Sequence, residues 1–473
     1  MPLSAHVAAL VKGILETMAA ELETEGGTLS HNTADAGDLE EQDVFASVVR
    51  DLRSLASLAS PAPADLGETL RIRLRALLTL ARQRVAHTPF HLVSGSTLRG
   101  YTDASMLIAV LFLHGGDGPD WKHMVDTLDR AIIVAGAVGP RRLEWAHELI
   151  TALQPPPRGA KRRRSSSLSL APCSSPPSPL AFKPLFAPSP IPTPGMPPPL
   201  SAAPFILRAH LSSGEHHPPW PALRRWGSAE YLLSRTGRGR IVPVECGHAY
   251  DDSGWTQRLV GWEGFLQRVG WDVPATDARE QDADDAPQYL AQTSLFRQFP
   301  ALEADMATPD CVWAETPEEY SPPPEVLVNA WIGPGGHEVV SPAHTVSAGW
   351  TSSPQDPYYN CYAQVLGYKR VWLAPPDASQ HMYAYAGTAT DAETASLAEE
   401  YMGNTSRVPL LRPAHDTAFT ELEAAYPVFF KHVYPRAMEA VLGPGDLLVL
   451  PPSWWHAMRG EGKGPCWSVS FWF

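Results

Sequence analysis

Two periodicities divide the chain. Val7, Leu10, Val11, Ile14, Leu15 and Met18 recur at three-to-four spacing, the apolar stripe of an amphipathic helix. Gly26 and Gly27 predict its end, and the acidic stretch to Gln42, with its Asn, Asp and Gly, reads as a loop. The same period predicts helices over 44–58, 66–86, 101–114, 121–137 and 140–153. Asp103 and Asp120 stand where N-caps belong, and Gly136 and Gly139 fit a helix stop. No strand alternation intrudes, so residues 1–154 are expected to form an all-α module. Its histidines (His6, His31, His87, His91, His114, His123 and His147) are dispersed, which favours structural or surface roles over ligand roles.

From residue 204 onward the pattern changes to short strands separated by turns. F-I-L-R-A, G-R-I-V-P-V-E-C, V-L-V-N-A-W-I, N-C-Y-A-Q-V-L, K-R-V-W-L-A and D-L-L-V-L all read as strands. Gly333–Gly336, Leu366–Gly367 and Gly443–Gly445 mark turns, and the stretch from Trp255 to Val269 has a helical period. Many short strands with few long helices argue for a barrel or sandwich. Residues 155–203 separate the two regions. Their proline- and serine-rich composition cannot bury enough apolar surface to fold, so a disordered linker is expected. The basic block Lys161–Arg164 beside Ser165–Ser167 reads either as a nuclear-import address tuned by phosphorylation or as a solvated charge run.

At 473 residues the chain has room for two domains and a linker. A net charge of -14 supplies no global drive toward nucleic acid, so no direct nucleic-acid partner is expected. The five cysteines, at 173, 246, 311, 361 and 466, show no C-x-x-C spacing and read as reduced thiols rather than a disulfide or zinc framework. No apolar run is long enough for a membrane span, and no signal-peptide pattern opens the chain. A nuclear or cytoplasmic protein with no membrane partner is therefore expected.

The chemistry concentrates in two stretches. One reads V-N-A-W-I-G-P-G-G-H-E-V-V-S-P-A-H-T from Val328, followed after an interval by D-P-Y-Y-N-C-Y-A-Q-V-L-G-Y-K-R-V-W-L. The other is L-G-P-G-D-L-L-V-L-P-P-S-W-W-H-A-M-R, closing in W-S-V-S-F-W-F. They offer a His, an Asp and a distant His beside alternating apolar residues. Two imidazoles and one carboxylate on one face of a metal are the signature of non-haem Fe(II) oxygenases.

These stretches resemble the catalytic core of the Jumonji-C (cupin-type) 2-oxoglutarate oxygenases, and most of all its arginyl-hydroxylating members. The resemblance extends from P-F-I-L-R-A-H-L through W-P-A-L-R-R-W, V-P-V-E-C-G-H-A-Y and Q-Y-L-A-Q-T-S-L-F-R-Q-F-P to N-A-W-I-G-P, with the motifs in family order. It implies a double-stranded β-helix (jelly-roll) over 204–473, which together with the all-α N-terminal module read from periodicity makes an α+β multidomain chain. It implies His344, Asp356 and His456 as ligands of Fe(II), with the open positions taken by 2-oxoglutarate and O2. Decarboxylation of 2-oxoglutarate would then yield succinate and the oxidant that hydroxylates the substrate.

By the same resemblance Lys369, nine residues beyond Asn360, holds the far carboxylate of 2-oxoglutarate. A charge inside a barrel is costly without an anionic partner, which favours that role over a surface lysine. Tyr289, Ser341 and Asn360 would supply hydroxyl and amide contacts. Trp331 and Trp472 would wall the pocket, a plain core role being the alternative. Glu245 and Trp255 match the carboxylate and aromatic that hold a target guanidinium. The forked pairing of carboxylate with guanidinium and its stacking on indole suit arginine better than methyl-lysine. The other option for this pair is structural, Glu245 pairing with Arg240. A protein or peptide substrate follows, with a histone tail as the alternative.

One departure matters. The family places its first His and Asp two residues apart, whereas here Val346–Gln355 intervene. The insert is either a loop that bulges out and returns Asp356 to the metal, or an unspliced intron of thirty nucleotides. If it misplaces Asp356, a non-catalytic binding protein results. His337 beside Glu338 is an alternative ligand pair.

Overall fold

The computed structural model describes residues 4–28, 36–56, 64–89, 92–114, 121–154, 187–200, 203–212, 218–247, 256–273, 287–335, 357–384, 405–410 and 416–473. Its contacts divide the chain into two compact units. One comprises Met1–Arg164 with Gly237–Val242, the other Ser165–Thr236 with Pro243–Phe473.

The first unit holds α1 (Ala5–Thr28), α2 (Ala36–Ala56), α3 (Ala64–His87), α4 (Gly95–His114), α5 (Trp121–Ala135) and α6 (Arg142–Leu153). Consecutive helices pack on one another, and α1 also meets α6. The predicted stripe of α1 is buried: Val11, Ile14, Leu15 and Met18 join Leu70, Leu74, Val110 and Leu128 in one core. Gly136, at φ 65°, terminates α5 in the left-handed region that glycine tolerates best.

Three local expectations are corrected. Helix α1 runs through Gly26 and Gly27 to Thr28; two glycines lower helix propensity without abolishing it. Helix α2 begins at Ala36, inside the stretch expected to be loop. Asp103 lies within α4, where it receives two hydrogen bonds from the buried Arg142, at 2.8 and 3.2 Å, instead of capping a helix. Asp120 lies outside the described residues.

The second unit is built on two sheets whose strands are numbered in chain order. The smaller has the order β1 (Ser189–Pro190), β9 (Met438–Leu442), β8 (Tyr368–Ala374), β11 (Trp455–Glu461). The larger runs β2 (Phe205–Leu207), β10 (Leu447–Leu450), β7 (Asn360–Leu366), β12 (Pro465–Trp472), β6 (Leu327–Pro334), β5 (Gln288–Thr293), β3 (Ile241–Cys246), β4 (Thr256–Gly261). Every pairing but β1 with β9 is antiparallel where a register is defined. Ile206, Tyr362, Leu448 and Leu450 of the large sheet share a core with Val371, Leu373 and Leu442 of the small one, so the sheets face each other as a sandwich.

Outer faces are covered too. Trp372, Ala374, Trp455 and Ala457 of the small sheet pack on Phe429, Phe430 and Val433. Behind the large sheet, Trp467 is ringed by Trp226, Trp262 and Trp271 at centroid distances of 4.3, 6.4 and 6.1 Å. Every residue of β7 is buried, so its apolar residues Cys361, Ala363, Val365 and Leu366 do not alternate with exposed polar ones.

The segment from Trp255 to Val269 is corrected: Thr256–Gly261 is strand, and only Trp262–Val269 is helix. Within the stretch expected as linker, Ser189–Pro190 pairs with β9 and Ile191 enters the core. A proline fits there because an edge strand does not need its missing N–H.

Candidate functional site

Strand register decides which residues face the interior of the sandwich. Directly opposed residues share a face, and alternate residues along a strand share it as well. Asn360 lies opposite Trp472 and Leu450, Tyr362 opposite Ser470 and Leu448. Asn329 and Trp331 of β6 oppose Ser470 and Ser468. Tyr362 belongs to the inter-sheet core, which places this entire set on the inner face. On the small sheet His456 opposes Leu373, and Gly460 opposes Lys369, again on the inner face. A polar row on the large sheet therefore looks across at His456 and Lys369.

Lys369 is 2 % exposed. Its ammonium donates to the Tyr362 hydroxyl at 2.7 Å and to the Tyr289 hydroxyl at 3.0 Å. Among the described residues no carboxylate pairs with it. Burial opposes the ammonium, but the two phenol oxygens hold it, so Lys369 lies above the ordinary lysine range. Burial likewise raises both phenols, so the trio at neutral pH is one cation and two neutral hydroxyls. A buried cation with only neutral partners is an incomplete pair, stabilised when an anion joins it.

Among the described residues, eight buried side-chain polar atoms lack a hydrogen-bond partner, and two of them lie on this inner face. They are Asn360 Oδ1 and Trp472 Nε1, on directly opposed residues of β7 and β12. Buried polar groups are nearly always paired, so adjacent orphans on the face that looks at Lys369 mark a place for a polar ligand. Trp331 instead donates to Ser470 Oγ at 2.9 Å.

His456 is buried on β11, and its Nδ1 lies 3.2 Å from the Trp454 carbonyl. A carbonyl only accepts, so Nδ1 carries the proton and Nε2 the lone pair that a metal would use. Burial pulls the ring below the ordinary histidine value, against the pull of that carbonyl, and keeps it neutral as a ligand must be. The turn that delivers it passes through Ser453 at φ 68°, an uncommon conformation for a non-glycine residue.

Glycines shape the same site. A Cβ on Gly333 would come within 2.1 Å of the Tyr289 ring, so the glycine of N-A-W-I-G-P makes room for that tyrosine to reach Lys369. Gly367, at φ 71°, makes the turn from β7 to β8, and a Cβ there would lie 2.6 Å from the Pro465 carbonyl oxygen.

The structure thus brings together Tyr289, Asn360, Lys369, Trp331, Trp472 and His456. Glu245 lies directly opposite Tyr289 and so shares its inner face. Arg240, offered as a structural partner for Glu245, is held by Asp129 at 2.6 to 3.0 Å. His344, Asp356, Ser341 and Trp255, the Val346–Gln355 insert and the His337–Glu338 pair lie outside the described residues. Among the described residues no three His, Cys, Asp or Glu side chains group as metal ligands. Sequence reasoning missed Tyr362, the nearer partner of Lys369. Its signal was present in N-C-Y-A-Q, where strand period puts Tyr362 on the face of Asn360.

The residues fit the groups that the chemistry requires. A neutral buried imidazole suits Fe(II), and an unbalanced buried cation beside two phenols suits the far carboxylate of 2-oxoglutarate.

Comparison with known proteins follows the same boundaries. The model of the cupin-like domain family matches residues 200–473. Jumonji C domain-containing protein 5 of Drosophila melanogaster is 35% identical over 254 residues, covering 54% of this chain and 52% of that protein. Lysine-specific demethylase 8 of Xenopus tropicalis is 31% identical over 255 residues, covering 54% and 45%. Lysine-specific demethylase JMJ30 of Arabidopsis thaliana is 32% identical over 254 residues, covering 54% and 47%. The chain spans about half the length of these curated relatives.

Proposed function

Because the chain belongs to the cupin-like domain family, we propose that it is an Fe(II)- and 2-oxoglutarate-dependent protein hydroxylase acting on arginyl side chains. The observation that carries this is Lys369, a buried ammonium with two phenol partners and no carboxylate among the described residues, facing the orphaned Asn360 Oδ1 and Trp472 Nε1. His456 supplies one ligand of Fe(II), with His344 and Asp356 as the others. Bound Fe(II) supplies the activation of O2 that couples decarboxylation of 2-oxoglutarate to hydroxylation.

The protein's own part is positional. Lys369, with Tyr289 and Tyr362, holds the far carboxylate of 2-oxoglutarate, while Asn360 and Ser341 orient the near end. Trp331 and Trp472 wall the cavity and keep water off. Glu245 receives the substrate guanidinium as a forked partner, and Trp255 stacks on it; the shared face of Glu245 and Tyr289 supports this. The second option is methyl-lysine demethylation, which the names of two relatives, the lysine-specific demethylases 8 and JMJ30, favour.

The test uses purified protein with Fe(II), 2-oxoglutarate and either arginyl or trimethyl-lysyl peptides, reading succinate and peptide mass. One added oxygen on the arginyl peptide is the expected result. Loss of a methyl group with release of formaldehyde would shift the assignment to demethylation. Absence of succinate together with absence of 2-oxoglutarate binding would overturn both and favour a binding protein.

A further inference from the structure

We propose that the groove between α3, α4 and α5 is a docking site for an acidic amphipathic segment of a partner protein. The groove encloses about 280 Å³. Its floor is apolar, built from Leu78, Ile108, Leu111 and Met124, all buried. Its wall is basic: Arg71, Arg75 and Arg82 all come from α3.

Spacing explains why one helix supplies both. Residues 71, 75, 78, 79 and 82 fall within an arc of about 100° at the 3.6-residue period. This strip runs from the buried Leu78 across Arg71, Arg82 and Arg75 to the exposed Thr79, and Ile72, 60 % exposed, adjoins that edge. From Arg71 to Arg82 the strip rises about 16 Å along the axis.

Their charges are unevenly used. Arg71 pairs with Glu68, and Arg82 donates to the Tyr101 hydroxyl at 3.3 Å. Arg75 is exposed, and no carboxylate among the described residues pairs with it. A basic strip in a chain of net charge -14 is a local feature with its own complement.

Size and shape choose the occupant. The volume lies at the lower limit for a small-molecule pocket of about 300 to 1,000 Å³ and suits one or two anchor side chains. The length of the strip exceeds what a single compact anion can span, so acidic groups repeated along a chain match it. A lining of Leu78, Ile108, Leu111 and Met124, with Phe112 and His123 beside them, accepts Leu or Phe anchors, and methionine adapts to the shape of either. An acidic peptide with apolar residues at helical spacing meets all these demands.

The experiment is fluorescence anisotropy on the full chain with a labelled peptide of about 16 residues. It carries Asp and Glu on one face and Leu and Phe at i and i+4; a control replaces every acid with Lys. Saturable binding is expected, at least about tenfold tighter for the acidic peptide and weakening as salt rises. Arg75→Glu should reduce affinity at least about tenfold. Thr79→Trp, which fills the groove from an exposed position, should abolish binding while the melting temperature and helical circular dichroism stay unchanged. Equal binding of the two peptides, or indifference to both substitutions, would overturn the proposal. Displacement of the peptide by millimolar inorganic phosphate, or tighter binding of an oligonucleotide through Arg75, would overturn it as well and give the groove to a different ligand.

Discussion

Lys369 shows how one side chain concentrates a site. It is fully enclosed, held by neutral phenols, and lacks a carboxylate partner among the described residues. Removing the charge should therefore separate binding from stability. Lys369→Met is expected to weaken 2-oxoglutarate binding by about 10- to 100-fold, the worth of one lost charge-assisted contact. The melting temperature of the ligand-free protein should hold or rise, since an incompletely paired buried ammonium is destabilising. Titration calorimetry and scanning calorimetry on the same preparations check both halves. A fall in stability with unchanged affinity would mean that the lysine is structural. The family resemblance pointed to Lys369 and Asn360, and strand period could have added Tyr362. It could not show that Asn360 Oδ1 and Trp472 Nε1 are orphaned, because that depends on what every neighbour offers.

Elements matter through their turns and registers. Gly333 and Gly367 both sit at close approaches, but the neighbours differ in kind. At Gly333 the obstacle is the Tyr289 ring, so Gly333→Ala should displace that tyrosine from Lys369. Binding of 2-oxoglutarate should fall about tenfold with a smaller loss of stability. At Gly367 the obstacle is the Pro465 backbone, and φ is positive, so Gly367→Ala should cost about 2 to 3 kcal/mol of stability. Urea unfolding beside calorimetric affinity distinguishes the two; identical behaviour of the variants would refute the distinction. Strands with an apolar run or clean alternation were legible, as with β6, β7 and β8. Strand β11, which carries His456, was not read as a strand, because its run W-H-A-M-R-G-E lacks both patterns. It forms because β8 offers it a partner along seven residues.

Across the whole molecule, the contact-defined units do not follow the chain in one cut. Gly237–Val242 belongs with the helices, where Arg240, 5 % exposed, is held by Asp129, and Ile241 donates its N–H to the same carboxylate at 3.0 Å. Asp129→Ala leaves a buried guanidinium and an amide without their acceptor, which should cost about 3 to 5 kcal/mol. Urea unfolding followed at the helical circular dichroism signal measures this. A second whole-chain prediction concerns the Val346–Gln355 insert. Succinate production by both the full chain and the insert deletion would mark a tolerated loop; production by the deletion alone would mark an inactive form.

By itself the sequence determined what local periodicity and local chemistry can encode. These are the helical module and the strand-rich C-terminal region, because each depends on neighbours within a few residues; the candidate ligands and cation came from the motifs' resemblance to a known family. Tertiary structure alone decided that Asn360, Tyr362, Trp472, Lys369 and His456 face one interior, since register across non-adjacent strands sets faces. It also decided that Asp103 holds Arg142 and that Asp129 holds Arg240, pairings separated by 39 and 111 residues. Such long-range partners are chosen by packing, which no window of the sequence contains.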